Sequence, residues 1–419
     1  MVHRLVFCLL LLFLFLTFSV RASELRLMPR VFMSEEYTDN LYLAPTGEKS
    51  DWITVLGPGI SLKQVTQYRS LGVDYELGIT RYKREDRNDS TRQTLTIFWD
   101  EQLRERLFMN ISEIFYRTEQ PSEFRYQPDI LAVRRTRKPS YRNTVSGRLS
   151  YQFAEKGFLD LHYSDNRFGS DDPAVEDSLQ YSPGFGLRYG WGPRHEAGLD
   201  LTWSRYEYDT KPGQESWSPS FSYTYRLNPH TSVGLQYSYT TMDFKSSAQN
   251  DYETHSFSLS YNQSPTETLS YSLSLGYYLR DTEESGQDSS LTYTFNLNRR
   301  FEHYNVSLSG ASGYRGQYVD AENRGFTQYR RFSASISAEL GPYITGQASA
   351  YYSTQEYKDI NDRTDDFYGF SCSIKRMLNP KINVSLSYSY RIRDAEQSSE
   401  EYRENSLILR INLSHEIRR

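Results

Sequence analysis

The stretch INVSLSYSYRIRD, Ile382 to Asp394, sets Ile382, Val384, Leu386, Tyr388 and Tyr390 at every second position and fills the gaps with Asn383, Ser385, Ser387 and Ser389. A strand turns successive side chains to opposite faces, so strict alternation gives one apolar face and one polar face. The pattern recurs. Leu269, Tyr271, Leu273, Leu275, Tyr277 and Leu279 oppose Ser270, Ser272, Ser274, Gly276 and Arg280. Phe332, Ala334, Ile336, Ala338 and Leu340 oppose Ser333, Ser335, Ser337 and Glu339. A helical period holds nowhere over a useful length.

The joints between these runs alternate too. Some are tiny and carry turn formers: NPH at Asn228, SPTE at Ser264, GP at Gly341 and LNPK at Leu378. Others are longer and charged: KSSAQNDYE from Lys245, EESGQDS from Glu283, QYVDAENRG from Gln317, KDINDRTDD from Lys358 and AEQSSEEYRE from Ala395. Strands are expected to begin near Arg26, Trp52, Ser70, Thr91, Arg106, Ser140, Gly157, Leu179, His195 and Glu215. Ten more are expected near Thr231, Thr254, Thr268, Ser289, His303, Phe326, Tyr343, Asp366, Ile382 and Glu404. That is about twenty, an even number, each long enough to cross a bilayer at a tilt.

The front of the chain reads differently. Leu5 to Phe18 is apolar except for Thr17, follows His3 and Arg4, and leads to Val20 and Ala22 at small-residue cleavage positions. This predicts a secretory signal peptide over 1–22 and a single domain over 23–419. The apolar run is shorter than the roughly 20 residues of a spanning helix, and no later run could form one. Lys and Arg number 48, two of them (Arg4 and Arg21) in that leader, against 53 Asp and Glu. An acidic remainder predicts no nucleic-acid partner. Beyond Cys8 the only cysteine is Cys372, so no internal disulfide can form. Mean hydropathy is −0.70, yet the chain holds 36 Tyr and 22 Phe.

In hydrocarbon every backbone N–H and C=O must be paired within the protein, which strands achieve only by closing into a barrel. The fold expected is therefore all-β: a transmembrane antiparallel up-and-down β-barrel of about 20 strands, with short periplasmic turns and longer extracellular loops, in a bacterial outer membrane. The apolar row would face lipid and the serine row a wet lumen. A secreted propeller, whose blades also repeat near 40 residues, is the competing architecture, but no WD-type or kelch-type signature is present. Tyr206, Tyr208, Tyr237, Tyr239, Tyr277, Tyr351, Tyr388 and Tyr390 gather where strands meet long loops, as an interfacial aromatic girdle would.

No metal-ligand spacing, P-loop, G-x-S-x-G or G-x-G-x-x-G motif in a strand–helix context is found, so no cofactor and no enzymatic step are expected. His162, with Asp160 and Ser164 on one face of FLDLHYSD, is the nearest approach to a rim hydrolase, and a plain wall residue explains it as well. The longest connection, from about Glu119 to Pro139, holds Arg125, Arg134, Arg135, Arg137 and Lys138. Folded inward, it would make a basic constriction that favours anions. An exposed basic loop that meets the anionic outer leaflet, or an extra hairpin from Ile130, is the alternative.

Three N-terminal stretches carry a resemblance: SEEYTDNLYL (Ser34 to Leu43), SDWITVLGPGISL (Ser50 to Leu62) and VDYELGITRY (Val73 to Tyr82). The region resembles the start of outer-membrane β-barrel proteins found with PEP-CTERM and exosortase systems and exopolysaccharide loci in Gram-negative bacteria. That resemblance implies a barrel spanning the whole chain after the leader and a role at the outer membrane linked to polysaccharide export. The stretches look structural: Asp39 and Asn40 suit a turn, and Pro58 between Gly57 and Gly59 suits a bulge or kink. One departure is the ending LSHEIRR, whose last apolar residue is Ile417 where such barrels end in an aromatic residue. The expected partners are outer-membrane lipids and lipopolysaccharide, the barrel assembly machinery and polysaccharide-export components. The expected function is a porin-like or export-associated channel, with a structural or adhesive barrel of closed lumen as the alternative.

Overall fold

The computed structural model describes residues 24–120, 136–246, 250–282, 286–315, 326–358 and 363–418. These residues form twenty long antiparallel strands, β1 (Glu24–Thr38) to β20 (Tyr402–Ser414), plus a two-residue continuation, β21 (Ile417–Arg418). Each strand pairs with the next in sequence, and β1 also pairs with β20 over Arg30–Thr38 and with β21 at Arg26 and Leu27. The sheet therefore closes on itself as an up-and-down barrel with no free edge. The strands named below are β2 (Asp51–Val65), β3 (Arg69–Tyr82), β4 (Ser90–Arg104), β5 (Leu107–Thr118), β9 (His195–Tyr208), β10 (Gln214–Asn228), β11 (Thr231–Phe244), β12 (Tyr252–Thr266) and β13 (Leu269–Thr282). To these add β14 (Gly286–Arg300), β15 (Tyr304–Arg315), β16 (Thr327–Gly341), β17 (Ile344–Tyr357), β18 (Arg363–Asn379) and β19 (Ile382–Ala395).

The expected strand starts agree with the observed ones to within about three residues. The turn-side joints are tight for local reasons. Asn228 Oδ1 accepts the His230 N–H at 2.9 Å, and Asn379 Oδ1 accepts the N–H groups of Lys381 and Ile382 at 2.8 and 3.0 Å. The register slips there, between Arg226 and Asn228 and between Met377 and Asn379. At Pro58 no bulge forms. The β1–β2 register runs unbroken through Gly57, Pro58 and Gly59, and the β2–β3 ladder skips Gly57 and Pro58 without shifting. Proline has no N–H to donate to that ladder. Gly57 is needed because the Phe32 ring lies on it: a Cβ there would sit 1.9 Å from a ring carbon.

Alternation assigns the faces. Leu259 is 62% exposed, Leu275 58% and Leu386 48%, all on one face, while Ser258, Ser274 and Ser387 turn to the other. A contiguous apolar exterior this large is tolerated only against hydrocarbon. Aromatic rings bound it on both sides. Toward the turns, Trp191 stacks on His195 at 5.6 Å and on Tyr223 at 6.0 Å, and Phe153 stacks on Tyr189 at 6.1 Å. Toward the loops, Trp203 and Trp217 lie 6.3 Å apart. Along β9, His195 to Trp203 spans the roughly 9–11 residues a tilted crossing requires. Beyond Trp203 the outer face becomes charged, with Arg205–Glu207 at 3.0 Å and Lys245–Glu215 at 2.7 Å. Strands thus outrun the apolar band on the loop side. The same surplus explains why β14 begins at Gly286, inside the expected loop from Glu283: its polar residues pair with β13 where no lipid need be met.

A cation facing mid-bilayer costs roughly 2–4 kcal/mol, and one facing water costs little. Leu386→Arg should lower the stability of the barrel in micelles by about that amount, and Ser387→Arg should leave it nearly unchanged. Urea titrations of both variants measure the difference. Equal effects would refute the assignment of faces.

Candidate functional site

The inward face is the chemically varied one, and burial divides it along its length. In β18 the buried residues Arg363, Asp365 and Phe367 stand at the loop end, whereas the turn end from Lys375 to Asn379 is exposed. The first loop (39–50) accounts for one part of this. Asp39 accepts both the backbone and side-chain N–H groups of Asn405 at 2.7 and 2.6 Å. Asn40 donates to the carbonyls of Ala44 and Arg403 at 2.8 and 2.9 Å. So pinned, the loop buries Leu41 against Phe32, Ile53, Val55 and Tyr82 on the inner faces of β1 to β3. Leu43 adopts φ +51°, a left-handed conformation uncommon outside glycine. Its full burial helps hold it there.

The third loop meets the first. Arg137 is buried and donates Nε and Nη2 to the Leu41 carbonyl at 2.9 and 2.7 Å. Tyr82 Oη donates to Glu119 Oε1 at 2.9 Å, which also accepts Arg92 Nε and Nη2 at 2.8 and 2.6 Å. Burial pushes the Glu119 carboxyl upward, but the charge and hydrogen bonds of Arg92 outweigh it, and its pKa lies below the ordinary carboxylate value. Two further groups cluster at the loop end. Met242, Tyr252, Tyr278 and Phe326 form a buried apolar cluster, with the Arg280 guanidinium 4.3 Å from the Phe326 ring. Asp365 accepts Arg363 and Arg393 at 3.0 and 2.7 Å, and both arginines also bind Glu400.

Further down, the wall is two-sided. Around β1, β3 and β20 it is ionic: Arg30 binds Asp74 at 2.5 Å and Glu76 at 3.3 Å, and Arg410 approaches Glu76 at 3.7 Å. From β10 to β19 its middle is built of Ser, Thr, Asn, Gln and Gly, as at Ser222, Gln236, Ser260, Ser274 and Asn296.

The residues singled out from sequence are distributed as follows. Arg125, Arg134 and Arg135 lie outside the described residues. Arg137 does reach the lumen, but its Nε and Nη2 are spent on the first loop, and Lys138 sits 3.4 Å from Asp172. Tyr237, Tyr239, Tyr277, Tyr388 and Tyr390 stand on the outer face between mid-strand and the loops. Tyr206, Tyr208 and Tyr351 turn inward, so the girdle assignment does not hold for them. Their parity decides it: Tyr206 and Tyr208 share a face with Asp200 and Thr202, and Tyr351 shares one with Ser349. Tyr206 accepts Gln180 Nε2 at 3.2 Å and Tyr208 accepts Gln214 Nε2 at 2.8 Å. The turn-side ring of aromatics at Trp191, Tyr189 and Tyr223 went unpredicted, although the same parity count locates it. Cys372 lies outward between Phe370 and Ile374.

His162 also faces inward. Its Nε2 is 3.1 Å from Thr202 Oγ1, and Thr202 donates to Asp200 Oδ1 at 3.1 Å. The hydroxyl proton thus points to the carboxylate, so His162 is not placed to take it as a base would. Among the described residues no group of three His, Cys, Asp or Glu side chains could hold a metal ion.

Glu119→Gln should strand Arg92 without its charge partner and lower stability by about 3–5 kcal/mol. Because the Glu119 pKa is depressed on folding, its contribution is present at neutral pH and fades as pH falls through the folded value. Urea midpoints at neutral and acidic pH should therefore converge for wild type and variant. A constant gap would show that the charge is not what Glu119 supplies.

Residues 318–415 match the family model described as "Putative beta-barrel porin 2". A comparison with curated protein sequences finds no match. Among solved structures, the FrpB iron transporter from Neisseria meningitidis (F3-3 variant) is similar at TM-score 0.53 and 10% identity, over 94% of this chain and 82% of that one. The siderophore receptor PirA from Pseudomonas aeruginosa is similar at TM-score 0.52 and 10% identity, over 93% and 80%. OpdK from Pseudomonas aeruginosa, solved with vanillate, gives TM-score 0.45 and 10% identity over 93% and 99%. At these identities the first two likenesses speak to the fold alone, and the fold is a closed transmembrane β-barrel.

Proposed function

We propose that this protein is a porin-like channel of the bacterial outer membrane that passes hydrophilic solutes without a chemical step. The observation that supports this best is the pairing of an apolar outer band with an inner wall of hydroxyl, amide and ionic groups around one closed sheet. Such a wall is a poor dry core and a good lining for water. The porin-type match over residues 318–415 points the same way. The short turns would face the periplasm and the long loops the exterior. Its surroundings would be lipopolysaccharide and phospholipid, reached through a cleaved leader and the barrel assembly machinery. The N-terminal resemblance favours a place beside polysaccharide-export components. The basic third loop would tilt selectivity toward anions.

A barrel that serves as a closed scaffold or adhesin is the second reading. It is favoured by the buried clusters at the loop end, where the first loop packs inside the wall. Conductance separates the two. Purified protein in planar bilayers should give discrete ion-conducting steps. Replacing Arg134 and Arg135 with Gln, with Arg137 retained so that the first loop stays docked, should move the reversal potential toward cation selectivity. Silent bilayers would favour the scaffold, and an unmoved reversal potential would remove the basic constriction.

A further inference from the structure

On successive strands from β15 to β20 a serine stands beside a serine. Ser307 is paired in register with Ser335, Ser335 with Ser349, Ser349 with Ser371, Ser371 with Ser389 and Ser389 with Ser406. All six face the lumen. Ser406 is buried and its hydroxyl donates to Glu36. Neighbouring strands lie roughly 4.7–4.9 Å apart, so the other five offer a hydroxyl at that interval around a quarter or so of the barrel. Two adjoining cavities of about 450 and 280 Å³ lie over this row and share Ser349, Ser371 and Ser389. Together they fall within the roughly 300–1,000 Å³ typical of ligand sites.

One row nearer the loops is Tyr351. Its ring lies on Gly369, where a Cβ would come 2.0 Å from a ring carbon. The ring is thus laid against the backbone of β18 with its other side toward the cavity, which it lines. Of the charges above it, Arg391 is matched to Glu404 at 3.0 Å, Arg137 is held by the Leu41 carbonyl, and the Arg331 guanidinium lies 5.6 Å from the Tyr351 ring centroid. Beside the serines, the row nearer the turns carries Ser337, Gln347, Ser373 and Ser387, with no ionised group among them.

We propose that this hydroxyl row and the Tyr351 ring form a binding track for an uncharged oligosaccharide. The chemistry is complementary at each point. Serine hydroxyls donate and accept, as sugar hydroxyls do, so a chain sliding along the row exchanges one set of hydrogen bonds for another. The C–H face of a pyranose ring is apolar and packs on an aromatic ring. An acidic polymer would give up hydration of its carboxylates along the serine row and the row nearer the turns, where no cation lines the cavity to replace it. The track deepens the channel reading by naming what the lumen takes, yet binding to it can be measured without conduction.

The test uses the full-length protein in detergent micelles, with maltohexaose as the neutral probe and a galacturonate hexamer as the acidic one, titrated calorimetrically. Planar-bilayer conductance is recorded in parallel. Maltohexaose should bind at least about tenfold more tightly than the galacturonate hexamer. Tyr351→Ala should weaken maltohexaose about tenfold, Tyr351→Phe should retain it, and Ser371→Leu should weaken it. Conductance without maltohexaose binding, or equal binding of the two probes, overturns the track and leaves the channel standing. Maltohexaose binding without conductance supports the track and overturns the channel. Neither binding nor conductance overturns both. Should Tyr351→Ala fail to fold, the wild-type comparison of probes and Ser371→Leu decide.

Discussion

The seam between β1 and β20 is what the rest of the structure depends on. Without it, the outer edges of β1 and β20 would present unpaired N–H and C=O groups to hydrocarbon, each at a cost of several kcal/mol. With it, every long strand has two neighbours, and the side chains are relieved of any duty to bury the backbone. This explains a composition that would be fatal to a soluble sheet. A chain with mean hydropathy of −0.70 can span a membrane because only one residue in two, over part of each strand, needs to be apolar.

Closure also sets up a division of labour along the barrel. The middle of the wall, outside the ionic face around β1, β3 and β20, is built from small hydroxyl side chains that neither fill space nor demand partners. Order is concentrated at the loop end, where Arg137, Tyr82, Glu119 and Arg92 connect the first and third loops to β3 and β4. Those contacts hold charged groups away from water, so their geometry must be near complete to be tolerated. The serine row from Ser307 to Ser389 lies outside this region, in the part of the lumen where inward groups are left accessible, and only its end at Ser406 is buried.

Glycines opposite aromatic residues recur as a device for keeping the wall thin. Phe32 lies on Gly57, His162 on Gly184 and Tyr351 on Gly369, each ring occupying the space a side chain would claim. A large ring is thereby laid against the sheet and kept from reaching across the lumen. At Gly57 and Pro58 this combines with a skipped ladder step, and a segment that suggests a bulge or kink keeps its register.

Alternation, turn chemistry and joint lengths were enough to locate all twenty strands and to assign the faces of β13, β16 and β19, because side-chain parity and Asn-Pro turns are local properties of the chain. Parity would have corrected the girdle as well, since Tyr206 counts onto the face of Asp200 and Tyr351 onto that of Ser349. Other features belong to the tertiary structure. The docking of Arg137 on the Leu41 carbonyl joins residues 96 apart in sequence. The inner clusters around Leu41 and Phe326, and the adjacency of six serines from six strands, depend on the register of each hairpin and on the ring being closed. No local pattern encodes which residues meet across a lumen, because those neighbours are set by how many strands stand between them.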